Sequence, residues 1–341
     1  MDSTILQAVP AGESAGPIAT LTIATRSLAV NRLFYEAGLG LTHRGPLPLS
    51  DSTRAALTRL WHLPASSKWS CHTFSRTGVA DAASLRLLVL DGDALCYRSD
   101  WEPAVLGPYT IGFPNTDQPA LDARLRALGF GARNALERTP FTHPDGRSWE
   151  ILETVHTAPD FVAVVGIARG AGQVPISPVD ASGRGGPAYS MMVVDDLQCM
   201  VTFLQTVLGY ELRIRRVQTS RGQAGAMRTP DGTTFELAQL SAQRGQHGFI
   251  IIIQFLNLAV QKPAAPPRLP SLGLTLYSFP VARLEPVLAR AERAGATKIC
   301  RPVFVDIAPH GATRHATLLA PNGVMLEFFE APPTRELKPL N

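Results

Sequence analysis

Four side chains in the second half of the chain could exchange protons with a bound molecule. Glu327 could act as a general base, and its pKa is raised if it lies buried and unpaired in a pocket. Tyr189 could donate a hydrogen bond to a developing enolate oxygen, and His310 and His315 could shuttle a proton near neutral pH. We expect these four residues to be catalytic, because groups that titrate near neutrality are concentrated in this half.

Four further residues are expected to bind a substrate beside them. Met325 and Phe329 share a strand face with Glu327, since side chains alternate between the two faces of a strand. Glu236 follows a Pro-Asp-Gly turn just as Glu327 follows Pro-Asn-Gly, and His247 lies at the start of an apolar strand. Structural roles remain the alternative for these groups: a Glu–Arg pair across a sheet, a core aromatic, or a surface-loop histidine.

The elements that position these residues form a weak internal repeat, present in four copies. Each copy begins with a β-rich segment and continues with an amphipathic helix that ends at a glycine, which can take the left-handed conformation. The β-rich segments are 18–24, 109–114, 189–194 and 274–281, and the glycines are Gly40, Gly129, Gly209 and Gly295. Each copy ends in a hairpin-like strand pair, so the repeat predicts an α+β fold of four βαβββ modules.

Three copies also contain a Pro-x-Gly turn followed by a strand with a glutamate at the same offset. The turns are 144–146, 230–232 and 321–323, and the glutamates are Glu150, Glu236 and Glu327. Such turns suit tight reversals between antiparallel strands. We expect each glutamate to lie in the last strand of its module, with Arg86 at that position in the first copy.

Together these features resemble the vicinal oxygen chelate superfamily, which includes glyoxalases, bleomycin-resistance proteins and extradiol dioxygenases. The similarity is strongest from Asp195-Asp196-Leu197 to Leu208-Gly209 and in the Pro-x-Gly turns with their glutamates. It implies that two modules curl into an open sheet around a pocket, to which the first and last strands contribute metal ligands.

Applied to this chain, the resemblance predicts two domains of paired modules. Modules 1 and 2 would form a first domain at residues 17–167, and modules 3 and 4 a second at 188–332, joined by a Gly-, Pro- and Ser-rich linker at 168–187. The stretches 52–63 and 263–270 are interpreted as insertions. We expect the main pocket between modules 3 and 4, with Glu327 and Tyr189 on its wall and the first domain as scaffold.

The metal ligands that the resemblance implies are not present. The first-strand ligand positions fall on Thr20, Thr110, Tyr189 and Leu276, and the last-strand positions on Arg86, Glu150, Glu236 and Glu327. One carboxylate with a phenol and an aliphatic side chain cannot hold a catalytic divalent metal. We therefore assign no metal ligand and expect no cofactor, while leaving open a metal held by His310, His315 and Glu327 in a different arrangement.

The composition is that of a soluble, globular protein, which we expect in the cytoplasm. Hydrophobic residues make up 45% of the chain and charged residues 18%, and a net charge of +4 is not clustered as nucleic-acid binding requires. The N-terminus shows no secretory pattern, and the four cysteines lack metal or disulfide spacing. No apolar run is long enough for a membrane span, and homodimer formation is left open.

The leading hypothesis for function is a metal-independent lyase or isomerase that acts on an oxygenated aromatic or polyketide-like substrate. It depends on a carboxylate retained at Glu327 without its metal partners. One alternative is a ligand-sequestering protein like the bleomycin-resistance members, which use the same pocket without chemistry. Another is a diverged, metal-dependent extradiol dioxygenase or glyoxalase.

Overall fold

The computed structural model describes residues 9–10, 12–79, 82–142, 148–243 and 247–331, and these form two eight-stranded sheets with short helices. The strands are β1 (Thr20–Thr25), β2 (Thr42–Arg44), β3 (Trp69–Ser75), β4 (Ser84–Leu90), β5 (Gly107–Pro114), β6 (Glu137–Thr142), β7 (Ser148–Thr157), β8 (Ala163–Arg169), β9 (Tyr189–Val193), β10 (Glu211–Thr219), β11 (Thr234–Ser241), β12 (Phe249–Phe255), β13 (Gly273–Val281), β14 (Thr297–Ile307), β15 (Gly311–Leu319) and β16 (Met325–Glu330). The helices are α1 (Leu28–Asn31) with a π-helix at Arg32–Gly38, α2 (Asp51–Leu60), α3 (Gln118–Ala127), α4 (Leu197–Leu208) and α5 (Leu284–Arg293). The predicted α+β class and four-module order are confirmed.

The modules, each of four consecutive strands, pair differently from the prediction. The first sheet has the order β14-β15-β16-β13-β1-β4-β3-β2 and joins module 4 to module 1. The second sheet, β10-β11-β12-β9-β5-β8-β7-β6, joins module 3 to module 2. Gly112 of β5 pairs with Tyr189 of β9, so one continuous sheet runs across the segment predicted to separate two domains. The predicted pairing of modules 1 with 2 and 3 with 4 is therefore wrong.

The repeat predicts the strands and helix of each module, but it does not indicate which modules pair with each other in a sheet. In every module the first strand pairs in parallel with the last strand of the same module. This leaves one open edge on each of β1, β5, β9 and β13, and any two of these edges can pair antiparallel. The segment predicted to be an interdomain linker is packed within the second sheet, where the Gly185 N–H donates to the Pro114 carbonyl at 2.8 Å.

The glutamates do not occupy equivalent strands. Glu327 lies in β16 and Arg86 in β4, the last strands of their modules, as predicted. Glu150 lies in β7 and Glu236 in β11, each one strand earlier than predicted. A module contains more than one tight reversal between antiparallel strands, and a Pro-x-Gly turn can occupy any of them. The turn at 144–146 lies outside the described residues.

The two sheets share one hydrophobic core and bury it with their helices. This core contains side chains of both sheets, for example Leu85 and Ile252, together with Leu125 of α3, Leu204 of α4 and Leu288 of α5. Each sheet keeps a separate apolar cluster on its other, concave face. None of the helices in the described ranges is long and apolar enough to span a membrane.

Helix α2 and the residue after it fill the concave face of the first sheet. Leu57, Leu60 and Trp61 are fully buried there and pack in one cluster with Leu276 and Met325. The insertion predicted at 52–63 thus closes this concavity. In the part of the chain that the structure describes, no helix covers the concave face of the second sheet.

Candidate functional site

Glu327 lies at the centre of a closed polar cluster on the concave face of the first sheet. Arg86 Nη1 donates a hydrogen bond to Glu327 Oε2 at 2.7 Å, and both side chains are fully buried. Ser278 Oγ donates to the same oxygen. The second oxygen, Oε1, accepts from His315 Nδ1 at 2.9 Å and from Trp61 Nε1 at 3.4 Å. Both carboxylate oxygens are therefore fully used inside the protein.

These contacts determine the charge of the carboxylate. Burial alone would raise the pKa of Glu327, but the Arg86 guanidinium and the His315 hydrogen bond outweigh it and hold the pKa well below its usual range. The prediction of an unpaired Glu327 with a raised pKa is therefore wrong. Burial, followed by the charge of Arg86, also lowers the pKa of His310 well below its ordinary value. Glu327 is a weak base near neutral pH, because it stays ionised even in acid.

The residues predicted around Glu327 are partly brought together. His310 Nε2 is 3.0 Å from Thr20 Oγ1, and its ring stacks on Phe329 at 3.7 Å between centroids. Met325 is fully buried beside the same cluster. Met325 and Phe329 therefore lie in a closed interior and not on an open binding surface, which contradicts their predicted position in a substrate pocket.

The first-strand position in module 4 was also misplaced. Leu276 belongs to the apolar cluster under α2, whereas Ser278, two residues later, pairs with Glu327 in the sheet and donates to its carboxylate. Both residues face the same side of β13 because side chains alternate along a strand. The resemblance therefore indicated the correct face of β13 but not the residue that contacts Glu327.

The cluster does not fit a divalent metal, although it contains the right kinds of ligand. Glu327, His310 and His315 each offer one ligand atom, these atoms lie within 4.8 Å of one another, and no other such group of three occurs among the described residues. The Arg86 guanidinium, however, donates to Glu327 at 2.7 Å and lies 3.4 Å from His310 Nδ1. A metal there would place two cations in contact within a closed interior, which is strongly unfavourable.

A large open cavity lies on the concave face of the second sheet. It has a volume of about 1020 Å³ and is lined by modules 2 and 3, not by modules 3 and 4 as predicted. Its wall is largely aromatic and aliphatic, and the Tyr189 and Phe249 rings stack there at 4.9 Å. The charged residues that line it are Glu137, Glu153, Arg169, Arg213, Arg216 and Arg221. Glu327 and Tyr189 are therefore in different sheets.

Glu153 places a carboxyl group in this cavity without a hydrogen bond or ion pair to any described residue. It lies in β7 directly opposite Glu137 of β6. Burial, and then the Glu137 carboxylate, raise the pKa of Glu153 to about 7. Glu137 is itself bound by Arg221 Nε at 3.4 Å and by the Ala226 N–H. Glu153 therefore takes up a proton more readily than an ordinary glutamate.

Tyr189 lies on the wall of the same cavity. A Cβ atom at Gly112 would come 1.9 Å from the Tyr189 ring, so the glycine in β5 provides the space that the phenol occupies. Burial, followed by the Glu153 carboxylate, raises the pKa of Tyr189 well above its usual value. The phenol stays protonated near neutral pH and can donate a hydrogen bond into the cavity.

Glu236 does not line the cavity. Its neighbours Phe235 and Leu237 do, and Glu236 on the opposite face of β11 accepts a hydrogen bond from Arg215 at 2.7 Å. This position does not support the predicted substrate-binding role of Glu236. His247 does not line the cavity either. Phe249, two residues later in the chain, does.

Sequence reasoning missed Glu153, although the sequence contains a signal for it. In β7 the residues Trp149, Ile151 and Glu153 line the cavity. Alternation places the neighbouring Glu150 on the other face, where it accepts a hydrogen bond from Arg138 at 2.8 Å. A glutamate in phase with a tryptophan and an isoleucine indicates a carboxyl group on an apolar face.

Comparisons with known proteins support the fold. No family model matches this chain, and no curated protein matches its sequence. The structure is similar to glyoxalase I from Zea mays, with 13% sequence identity and a TM-score of 0.58 over 93% of both chains. It is also similar to a putative dioxygenase from Bacillus subtilis, with 12% identity and a TM-score of 0.55 over 94% of this chain and 87% of that one. The predicted resemblance to glyoxalases and dioxygenases is confirmed at the level of the fold.

Proposed function

We propose that this protein is a metal-independent lyase or isomerase that moves a proton on an oxygenated, largely apolar carboxylate bound in the cavity of the second sheet. The observation that carries the proposal is the Glu153 carboxyl group, which has no partner among the described residues and lines the same mainly apolar cavity as Tyr189. A base with a pKa of about 7 is well matched to proton transfer at neutral pH.

The two groups have complementary roles in the proposed reaction. Ionised Glu153 removes a proton from a carbon next to a carbonyl group, and the Tyr189 hydroxyl donates a hydrogen bond to the oxygen on which negative charge develops. Return of the proton to another atom of the resulting enolate gives an isomerisation. Departure of a leaving group from the neighbouring carbon gives an elimination, with the proton remaining on Glu153 until water removes it.

Arg169 supports the choice of a carboxylate substrate. It pairs with Ile151 in the sheet, next to the Glu153–Ile167 pair, and its guanidinium lies 5.8 Å from the centre of the Trp149 ring. Its buried Nε atom has no hydrogen-bond partner among the described residues. A guanidinium group pairs with a carboxylate through two parallel hydrogen bonds. The proposed substrate therefore directs its carboxylate to Arg169 and its apolar part to the aromatic wall.

Ligand sequestration without chemistry is the second candidate function. The size and mainly apolar wall of the cavity favour it, since such pockets bind small molecules whether or not they react. A metal-dependent dioxygenase or glyoxalase reaction is less favoured, because the guanidinium of Arg86 lies against the one His-His-Glu group of the described residues.

Solvent exchange of an enolisable aromatic carboxylate distinguishes these functions. With phenylpyruvate in D₂O, we expect the protein to accelerate loss of the C3 proton signal in the NMR spectrum over the protein-free rate. The ligand should also raise the melting temperature. A rise in melting temperature without faster exchange would identify a sequestering protein. Neither effect across a panel of aromatic 2-oxo acids and carboxylated 1,3-diketones would contradict the proposed site.

A further inference from the structure

We infer that Arg86 is a built-in cation that replaces a divalent metal in the first sheet, and that removing its guanidinium converts His310, His315 and Glu327 into a metal-binding site. This inference concerns the closed cluster and is independent of the function proposed for the cavity of the second sheet.

Arg86 and a metal would share two partners, Glu327 and His310. The guanidinium donates to Glu327 Oε2 at 2.7 Å and lies 3.4 Å from His310 Nδ1. The ligand atoms of His310, His315 and Glu327 lie within 4.8 Å of one another. Bonds of about 2.0–2.2 Å to a metal require ligand atoms roughly 3–4 Å apart, so only small side-chain movements are needed.

Hydrogen bonds from neighbouring side chains already orient two of the ligands, Glu327 and His310. Ser278 and Trp61 both donate to the Glu327 carboxylate, and Thr20 Oγ1 lies 3.0 Å from His310 Nε2. Such outer contacts fix ring orientation and ligand basicity in metal sites. They do not involve Arg86, so they remain when its side chain is truncated. His310 then presents its Nδ1 atom to the position that the guanidinium leaves.

His315 is the third ligand, and its Nδ1 atom already faces Glu327 Oε1 at 2.9 Å. An imidazole on a metal shared with Glu327 binds through this nitrogen, so its hydrogen bond to the carboxylate is exchanged for a bond to the metal.

Charge balance also favours a metal once the guanidinium is removed. Glu327 and Arg86 are both fully buried, and the pair is neutral as a whole. Truncation of Arg86 leaves a buried carboxylate without a counter-charge, which is strongly unfavourable. A divalent cation restores the missing positive charge and binds through groups that are already present. Arg86→Ala is therefore expected to open the space that a metal needs and to leave a negative charge on Glu327 that a metal would neutralise.

Cobalt titration of the wild-type protein and of Arg86 variants tests the inference. Wild-type protein and Arg86→Lys, which keeps a cation, should take up no stoichiometric Co²⁺. Arg86→Ala should bind one equivalent, with visible d–d absorption and a melting temperature that rises with Co²⁺ concentration. The double variants Arg86→Ala/His315→Ala and Arg86→Ala/Glu327→Gln should lose both effects.

Two results would overturn the inference. One is stoichiometric metal in the wild-type protein that disappears in His310→Ala, since it would show that the guanidinium does not exclude a metal. The other is failure of Co²⁺ binding both in Arg86→Ala and in Arg86→His, which supplies an additional imidazole. Each variant is measured after purification and after refolding with Co²⁺, so that poor folding of the metal-free form cannot hide a site.

Discussion

Replacing Arg86 with methionine is expected to lower the free energy of unfolding by about 3–5 kcal/mol, because removal of one partner leaves a buried charge without compensation. Methionine retains much of the apolar volume, so most of the loss comes from Glu327, whose side chain and that of Arg86 are fully buried. Equilibrium unfolding in urea at neutral pH measures the effect.

A second ion pair in the same protein provides the control. Arg215 and Glu236 are also 2.7 Å apart, but their side chains are 35% and 22% exposed. We expect Arg215→Met to change stability by no more than about 1 kcal/mol, since water and salt screen an exposed pair. The double variant Arg86→Met/Glu327→Gln should recover part of the loss. Equal effects of Arg86→Met and Arg215→Met would show that the buried pair has no special role.

Replacing Glu153 with glutamine is expected to slow proton exchange of a bound enolisable carboxylate by a factor of about 10²–10⁴, the usual contribution of a general base. Glutamine has the shape of glutamate but cannot accept the proton. Glu150→Gln is the matched control, because Glu150 lies in the same strand and pairs with Arg138 away from the cavity. Exchange rates measured by NMR at saturating substrate should be unchanged in this control.

The same carboxyl group determines the pH dependence of the reaction. The pKa of Glu153 is raised to about 7, so the group is protonated and inactive as a base in acid, and it ionises as the pH rises through that value. The wild-type exchange rate should therefore increase between about pH 5.5 and pH 8.5 and then level off. A flat profile over this range, or full exchange activity in Glu153→Gln, would contradict the role of Glu153.

Local sequence patterns predicted the individual elements well. The amphipathic helix predicted to end at Gly209 is α4, and Gly209 ends it in the left-handed conformation with φ of 70°. Those signals depend on residues close together in the chain. The grouping of Glu327 with His310 and His315 was also found, since all three lie within the strands and turns of one module.

Features that depend on contacts between modules could not be predicted in this way. The pairing of β1 with β13 joins residues at opposite ends of the chain, and nothing in the repeat distinguishes it from pairing with β5. Arg86 reaches Glu327 only because of this pairing, which converts an expected base into a neutralised ion pair. Trp61 likewise closes the concave face of the first sheet through contacts with residues of another module. The cavity on the second sheet stays open.

Our central claim is that the proton-accepting carboxylate is Glu153 in the second sheet and not Glu327 in the first. A ¹³C NMR pH titration of protein labelled at glutamate Cδ, assigned with Glu153→Gln and Glu327→Gln, tests it directly. We predict that the Glu153 resonance titrates near pH 7, while that of Glu327 keeps its ionised shift well below the ordinary pKa of a glutamate. A Glu327 resonance that titrates near neutrality, with Glu153 ionised throughout that range, would contradict the claim.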